Sequence, residues 1–530
     1  MSTNLLPEAT ALWQPKANPW IIGVVVSLAA FMEVLDTSIA NVALRHIAGN
    51  LGASYDESTW VLTSYLAANA VVLPIAGFMV SWLGRKRFFL ICIAAFTVCS
   101  LLCGMAPTLG ALLLFRVLQG AFGGGLQPMT QAILADSFPE SRRGLAFALY
   151  GVTAVCAPAI GPTLGGWITD NYTWRWIFYI NVPFGALTSA LVYYLVEDPP
   201  YLARARKAVL RNMDYVGFAL LIIGVAALQV MLDKGQEDDW FGSRFITTLA
   251  ITAVVGLVSM VIWEWHHKDP IVDVRLFKNS NFAMSNLMFF MLGLIMFAAF
   301  VLLPQFLQTL MGYTAQTAGL VLSVGALVVA VTLPCIGHLT QRFQARYLLA
   351  VGWILLVIGM YVSSRRTDLL VSFNAATQTC LWEFVPMGFL FVGLNTAAYV
   401  GLPTERSNAG SGIMNFTRNI GSSVGTSFVT TVIARRSQYH QSVLAEHTRS
   451  GHFGMAFQAL TSRLSSAGLS VHEAQHQAVG RLYVFVQLQA QTLSYMDAYW
   501  MLAGASVLMF LLSFLLAKND PSTGGEVHMH

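Results

Sequence analysis

The chain is dominated by long apolar runs that recur from one end to the other and are separated by short polar stretches. A helix needs roughly 20 mostly apolar residues to cross the hydrocarbon layer of a bilayer. Of the 530 residues, 56% are hydrophobic and only 11% are charged, whereas soluble domains carry about 25% charged residues. Because a soluble core of this size would still need a charged exterior, the sequence predicts a multi-spanning membrane protein.

Helices are the predicted element, because backbone exposed to lipid must satisfy its own hydrogen bonds and the runs are too long for the strands of a membrane barrel. The runs predict an all-α membrane protein with fourteen spans. Their approximate limits are 20–43, 59–82, 88–105, 109–134, 144–168, 174–196, 214–232, 244–265, 281–304, 314–337, 346–363, 379–401, 408–433 and 497–517.

The basic residues predict the orientation of these spans. With a cytoplasmic N-terminus, seventeen Lys and Arg fall on the inner side and six fall on short outer loops, and cytoplasmic loops retain positive charge. Residues 1–19 lack the apolar core and cleavage site of a signal peptide. We therefore expect a multi-pass protein of the cell inner membrane with both termini cytoplasmic. The scattered basic residues give no reason to expect a nucleic-acid partner.

Two short motifs repeat at nearly the same offset. Leu-Pro-x-x-Gly occurs at 73–77 and again at 333–337, 260 residues later, and 139–142 loosely matches 403–406, 264 residues later. The repeats indicate a duplicated six-helix unit, as in many secondary transporters whose substrate site lies between the copies; a chance echo of Gly/Pro motifs is the alternative. The predicted domains are an N-terminal half (1–197), two inserted helices (198–280) and a C-terminal half (281–530) with a long outer loop at about 434–496.

Three ionisable residues inside predicted spans are the main functional candidates, because charge within the membrane is costly. Glu33 and Asp36 share a face of the first span. The helix rise places Arg116, in the fourth span, level with Glu33 and about one turn from Asp36. Burial disfavours the carboxylate and a nearby arginine favours it, so such a site can gain and lose a proton. The sequence predicts proton coupling here; the alternative is a structural ion pair between Asp36 and Arg116.

Other polar residues in the spans are candidates for a substrate cavity. Arg418 lies beside Asn415 and Asn419, where it either lines the cavity or donates hydrogen bonds between helices. Glu383 is predicted near the outer mouth of the twelfth span, where water would solvate it. Single polar residues in spans often join helices, so the same two interpretations apply to the remaining candidates, Tyr65, Asn69, Gln119, Gln127 and Asn395.

Glycine and proline cluster at two places that suit conformational change. Small residues let helices approach closely, and proline permits a bend; a static tight crossing is the alternative. The cluster in the fifth span comprises Pro158, Gly161, Pro162, Gly165 and Gly166. The second group, at the end of the second span, comprises Gly77, Gly84, Arg85 and Lys86.

Taken in order, the motifs of the chain resemble those of the major facilitator superfamily, and within it the fourteen-helix drug:proton antiporters of the EmrB/QacA type. The matching segments are LDTSIANVAL at 35–44, RxxQG at 116–120, GPxxGG at 161–166 and WRWIFYINVP at 174–183. Three more resemble the EmrB branch in particular: MLDKG at 231–235, DPIVD at 269–273 and NFTR at 415–418.

The resemblance implies that Asp36 and Arg116 are the coupling carboxylate and its partner arginine, and that a proton gradient serves in place of a cofactor. It implies export of hydrophobic drugs, uncouplers or fatty-acid-like compounds, with a periplasmic adaptor and an outer-membrane channel as partners. One departure is Ser81, where the superfamily usually has an aspartate. Another contact is therefore expected to hold the outward-open state.

The expected function is proton-coupled efflux of small hydrophobic or amphipathic compounds, with membrane lipid as the surroundings. The alternatives are a dedicated exporter of one metabolite, siderophore or fatty acid, and a membrane sensor with a transporter-derived fold. We expect no enzymatic activity and no metal site, because the sequence has no nucleophile–base pair or nucleotide loop and its six cysteines lack metal-ligand spacing.

The predicted outer loop contains an apolar stripe. Phe453, Phe457, Leu460 and Leu464 recur at helical spacing. The stripe either docks a partner or folds back on the outer surface of the bundle.

Overall fold

The structure is a computed structural model that describes residues 15–139, 142–198, 214–268, 270–403, 406–447 and 451–518. The regular structure of these residues is helical. The helices are α1 (Pro19–Leu51), α2 (Tyr55–Leu83), α3 (Arg85–Met105), α4 (Leu109–Gly123), α5 (Leu126–Ser137), α6 (Arg143–Asn171), α7 (Trp176–Tyr179), α8 (Asn181–Leu195), α9 (Tyr215–Lys234), α10 (Arg244–His266), α11 (Ser280–Thr309), α12 (Ala315–Leu339), α13 (Ala345–Arg366), α14 (Phe373–Ala398), α15 (Ser407–His447), α16 (Gly451–Ser466) and α17 (Val471–Leu512).

Thirteen segments of the described chain are long and apolar enough to cross a membrane. In that count, α4 and α5 form one segment and α7 and α8 form another. The fourteenth predicted span, 408–433, lies in α15, whose sequence is rich in Ser, Thr, Asn and Gly. This helix packs along α2, α11 and α17 and buries Asn415 and Arg418. Its polarity therefore reflects contact with other helices, and the all-α architecture with fourteen predicted spans is confirmed.

Polar caps fix where several helices begin. The Ser54 hydroxyl accepts a hydrogen bond from the backbone N–H of Glu57, and the Glu57 carboxylate accepts one from the backbone N–H of Ser54. Ser470 and Glu473 repeat this arrangement at the start of α17. Each box satisfies two N–H groups that have no partner within the helix.

We call α1–α8 the first half and α11–α17 the second half; α9 and α10 lie between them in the sequence. The halves meet mainly along α6 and α12 and along α2 and α15. The repeated glycines lie at these crossings: a Cβ on Gly77 would be 2.8 Å from the Cα of Ala409, and one on Gly337 would be 3.1 Å from the carbonyl oxygen of Gly144. The two copies of the motif therefore each contact the opposite half. The matching segments 139–142 and 403–406 lie partly outside the described residues.

The predicted outer loop at about 434–496 is mostly helical in the part of it that the structure describes. α15 continues to His447, α16 follows, and α17 begins at Val471. The 42 residues of α17 correspond to about 63 Å, roughly twice the hydrocarbon thickness of a bilayer. The segment was predicted as a loop because it lacks a continuous apolar run, although it is rich in residues that favour helices. We call 434–447, 451–466 and 471–496 the projecting helices.

The apolar stripe of α16 packs against the start of α17. Leu464 is buried with Ala474 and Ala478, and Phe457 and Leu460 are partly buried against them. The side chain of Phe453 lies outside the described residues. Of the two expected positions, the stripe takes neither: it is covered by α17 rather than by the bundle surface or a partner.

The proline pair of α6 is stabilised by a hydroxyl from α1. Pro162 has no N–H, so the carbonyl of Pro158, four residues earlier, lacks its helical donor. Ser38 of α1 donates its hydroxyl to this carbonyl at 2.9 Å. A Cβ on Gly161 would lie only 2.2 Å from the Ser38 oxygen. The two helices therefore touch two residues after Asp36.

The next two glycines of α6 continue this close packing. A Cβ on Gly165 would lie 3.2 Å from Ile39 of α1, and one on Gly166 would lie 3.7 Å from Gln316 of α12. The glycine cluster therefore places α6 against a helix of its own half and against one of the other half.

We predict that Gly161→Ala lowers the thermal stability of the detergent-solubilised protein, because the added methyl group has no space beside Ser38. Overpacking of this kind costs about 1–3 kcal/mol. Gly504, on an exposed part of α17, has nothing within 4 Å of a built Cβ. Gly504→Ala should therefore keep or slightly raise the stability. Equal melting temperatures for the two variants would contradict the close crossing.

Candidate functional site

Asp36 and Arg116 form an ion pair that is enclosed by protein. Nη1 of Arg116 lies 2.5 Å from Oδ2 of Asp36, and the two side chains are 0% and 1% exposed. The other carboxylate oxygen accepts hydrogen bonds from Gln119 at 3.0 Å and from Asn181 at 2.7 Å. Gln119 also accepts a bond from Arg116 at 2.9 Å. Every oxygen of this buried carboxylate therefore has a donor.

The guanidinium of Arg116 is held from several sides. Its Nε donates to the carbonyl of Val61 at 3.1 Å, and its carbon lies 4.2 Å from the ring centroid of Tyr65 and 5.5 Å from that of Phe178. Cations favour such aromatic faces. Gly120 makes this approach possible, because a Cβ there would lie 2.3 Å from the backbone oxygen of Tyr65. The glycine of the RxxQG motif thus brings α4 against α2.

Glu33 lies one turn from Asp36 on α1 but has different partners. Its carboxylate accepts bonds from Asn69 at 2.9 Å, from Gln127 at 2.5 Å and from the Tyr65 hydroxyl at 3.4 Å, and the residue is 3% exposed. The helix rise placed Arg116 level with Glu33, whereas the arginine pairs with Asp36, because its long side chain reaches the next turn. Tyr65 contacts both acid sites, one through its hydroxyl and the other through its ring.

A second polar network joins the two halves at Arg418. Nη2 of Arg418 in α15 donates to Oε1 of Gln127 in α5 and to Asn415 at 3.0 Å. The Tyr150 hydroxyl in α6 also donates to Oε1 of Gln127, at 3.0 Å. Arg418 therefore acts as an interhelical donor in this structure.

The same contact between halves continues one turn further along α5. Gln131 accepts a bond from Asn415 at 2.6 Å and donates one to Asn395 at 2.9 Å. Two of the predicted cavity residues, Asn395 and Asn415, thus form hydrogen bonds with Gln131, which the sequence analysis did not single out.

A break between α4 and α5 positions Gln127. The Gly-Gly-Gly sequence at 123–125 ends one helix, and the next begins at Leu126. A Cβ on Gly124 would lie 2.6 Å from the Asn69 carbonyl oxygen, and one on Gly125 would lie 2.6 Å from the sulfur of Cys92. The glycines allow the chain to pass close to α2 and α3 before α5 turns towards the second half.

Glu383 does not belong to these networks. It is 1% exposed, accepts a bond from the Ser363 hydroxyl at 2.6 Å and lies beside Tyr499 of α17. The expectation that water would solvate Glu383 is wrong, because α13 and α17 cover this face of α14.

Arg85 provides a contact between the halves at the end of the bundle where α2 ends. It pairs with Asp136 of α5 at 2.6 Å and donates to Oδ1 of Asn408 in α15 at 2.9 Å. Ser81, at the position of the missing aspartate, donates only within its helix, to the carbonyl of Gly77. Arg85 thus joins the two halves near the position of the missing aspartate.

The two neighbours of Arg85 have local roles. Gly84 has a φ of 85°, which favours glycine, and it separates α2 from α3. The backbone N–H of Lys86 donates to Asp198 at 2.7 Å, and its ammonium lies 5.2 Å from the ring centroid of Tyr193. These contacts hold the turn against the end of α8.

Sequence reasoning missed five residues of these sites: Asn181, Gln131, Tyr150, Asp136 and Asn408. Two of them had a detectable signal, since Asn181 lies in the segment at 174–183 and Gln131 follows Gln127 by one helical turn. The six cysteines are free, and five of them are buried. Within the described ranges, no group of three or more His, Cys, Asp or Glu residues is placed to hold a metal.

Comparison with known proteins gives the family. The sequence model of the Major Facilitator Superfamily matches residues 26–426. Multidrug export protein EmrB of Escherichia coli (strain K12) is 36% identical over 505 residues, which cover 95% of this chain and 96% of the relative. Fatty acid resistance protein FarB of Neisseria gonorrhoeae is 36% identical over 508 residues, which cover 95% and 97%.

The solved structures show the same fold. The proton:xylose symporter XylE matches with a TM-score of 0.60 at 13% identity, covering 96% of this chain and 98% of that structure. Because the family match spans most of the sequence and relatives cover it almost end to end, the chain belongs to the Major Facilitator Superfamily, in its EmrB-type branch.

Proposed function

We propose that this protein exports small hydrophobic or amphipathic compounds across the cell inner membrane in exchange for protons. The names of the relatives support export, since EmrB is described by multidrug export and FarB by fatty acid resistance. The observation that carries proton coupling is the pair of buried acids, Glu33 and Asp36, one of them paired with Arg116. The FarB relative supports the second candidate, a dedicated exporter of one fatty acid or other metabolite.

The two acids suit different tasks. Asp36 accepts bonds from a guanidinium and two amides, which favour its charged form. The donors to Glu33 are the neutral side chains of Tyr65, Asn69 and Gln127, so neutralising Glu33 costs less free energy than neutralising Asp36. We infer that Glu33 exchanges a proton during each cycle, and that Asp36 and Arg116 set the field around it. Protonation of Glu33 removes a charge that would otherwise hold a cationic group of the substrate.

The contacts between the halves support one direction of access. If the termini are cytoplasmic, as the basic residues indicate, the latch of Arg85, Asp136 and Asn408 lies at the cytoplasmic end. A protein closed at that end would take protons from the outer side, where the energised inner membrane holds the higher proton concentration. We therefore expect Glu33 to take up its proton from the outer side.

We further propose that the projecting helices dock a periplasmic adaptor that leads to an outer-membrane channel. Val479 and Tyr483 follow each other by one helical turn on α17 and are 58% and 54% exposed. They lie in the part of α17 that exceeds a bilayer crossing, so lipid does not account for their exposure.

The coupling acids can be tested in vesicles with an imposed pH gradient and a fluorescent substrate dye. We expect Asp36→Asn and Glu33→Gln to abolish gradient-driven dye transport while the protein still inserts, because neither amide can carry the charge. Asp238→Asn changes an exposed carboxylate between α9 and α10 and should transport normally. Full activity of Asp36→Asn would exclude it as an essential coupling residue.

A double variant separates coupling from a purely structural ion pair. Arg116→Gln leaves the Asp36 charge buried without its partner and should cost about 3–5 kcal/mol of stability. Adding Asp36→Asn removes the second charge and should recover much of the melting temperature without recovering transport. Gradient-driven efflux by the double variant would show that the pair only holds α1 and α4 together.

Adaptor docking predicts that Val479→Ser with Tyr483→Ser weakens co-purification with the cognate adaptor, because the exposed apolar area is lost. Transport in vesicles should be unchanged, since these side chains are remote from the acids. Leu370→Ser, which changes an exposed apolar residue between α13 and α14, serves as the control. Adaptor recovery equal to that of this control would rule out the surface.

A further inference from the structure

We propose that Gln127 is a positioning residue that transmits the charge of Glu33 in the first half to Arg418 in the second half. The inference rests on the proton-coupled export proposed above and assigns its mechanical step. Gln127 hydrogen-bonds both charged groups: its amide nitrogen donates to Glu33 at 2.5 Å, and its amide oxygen accepts from Arg418.

The chemistry of the three groups fixes the orientation of this amide. A carboxylate can only accept hydrogen bonds and a guanidinium can only donate them. An amide has a donor end and an acceptor end, so one orientation satisfies both neighbours and the flipped orientation satisfies neither. The Tyr150 hydroxyl also donates to this amide oxygen, at 3.0 Å.

Loss of the charge on Glu33 would weaken the contact at the other end of the amide. Hydrogen bonds to ionised groups are roughly twice as strong as those between neutral groups, and linked hydrogen bonds polarise one another. With a carboxylate at the nitrogen, the amide oxygen carries more negative charge and holds Arg418 more firmly. With a protonated Glu33 this polarisation falls, so the hydrogen bond from Arg418 of α15 to Gln127 of α5 weakens.

The other ionisable groups around Glu33 have their own partners. Asp36 lies on the same helix and pairs with Arg116 of α4. Tyr65 of α2 donates to Glu33 and covers Arg116 with its ring. Tyr150 of α6 and Arg418 of α15 face Glu33 from the far side of Gln127. A single amide, that of Gln127, therefore connects the carboxylate of Glu33 to the cation Arg418.

Gln131 offers a matched comparison within α5. It lies one helical turn from Gln127, has the same side chain and also bonds to the second half, through Asn395 and Asn415. In the described chain, these hydrogen bonds of Gln131 do not extend to Glu33. A role in packing alone would make the two glutamines equivalent. The proposed transmission from Glu33 through Gln127 to Arg418, which we call the relay, makes them different.

The test measures dye efflux in vesicles over a range of lumenal pH, with and without an imposed gradient. We expect Gln127→Leu to reduce the stimulation by the gradient about tenfold or more, because loss of a charge-assisted hydrogen bond changes an equilibrium by at least about that factor. Gln131→Leu should lower the rate yet keep the wild-type stimulation ratio and pH profile. Equal ratios for wild type and Gln127→Leu would overturn the relay.

A second variant at the same position keeps the proposal testable if Gln127→Leu inserts poorly into the membrane. Gln127→Glu keeps the shape but places two carboxylates together, which then share one proton. Its pH profile should move to higher pH, and an unmoved profile contradicts the relay.

The proposed function has a separate criterion: if wild-type efflux does not respond to the imposed pH gradient, proton coupling is wrong. If Glu33→Gln loses stimulation while both Gln127 variants retain the wild-type profile, coupling stands and the relay is wrong.

Discussion

The ion pair between Asp36 and Arg116 is the constraint around which the first half is arranged. Removing two charges from water costs several kcal/mol per ion unless their geometry and hydrogen bonds are nearly complete. Here α1 supplies the acid, α4 the base, and α2, α4 and α8 the surrounding donors, acceptors and rings. The close crossing at Gly120 follows from the same requirement, because the guanidinium reaches its partners only if α4 lies against α2.

The second acid is placed differently, and the difference is informative about the mechanism. Asp36 is enclosed by helices of one half, whereas Glu33 connects through Gln127 to a helix of the other half. The surroundings of a charge enclosed within one half stay the same when the two halves separate. The surroundings of a charge that is hydrogen-bonded across the contact between the halves change. One acid therefore suits a permanent electrostatic role, and the other suits a step that accompanies the movement of the halves.

Much of this arrangement could be predicted from sequence, because lipid imposes simple requirements on length and polarity. The apolar runs predicted all fourteen spans, and the intramembrane charges Asp36, Glu33 and Arg116 marked the site. The reach of a long side chain could not be predicted in this way: the axial rise along each helix placed Arg116 level with Glu33, whereas its side chain pairs with Asp36. The burial of Glu383 could not be predicted either, because it depends on α17, more than a hundred residues later in the chain. The projecting helices were missed because a helix that leaves the membrane no longer needs an apolar sequence.

The unbroken course of α17 has a geometric consequence. An α-helix turns by about 100° for each residue and advances by about 1.5 Å. A single residue inserted between its membrane portion and Tyr483 would barely alter the height of the far surface, yet would swing it by more than a quarter of a circle. The direction in which the projecting helices face a neighbour thus depends on the number of residues in one helix, and insertions of about seven, eleven or eighteen residues would nearly preserve it.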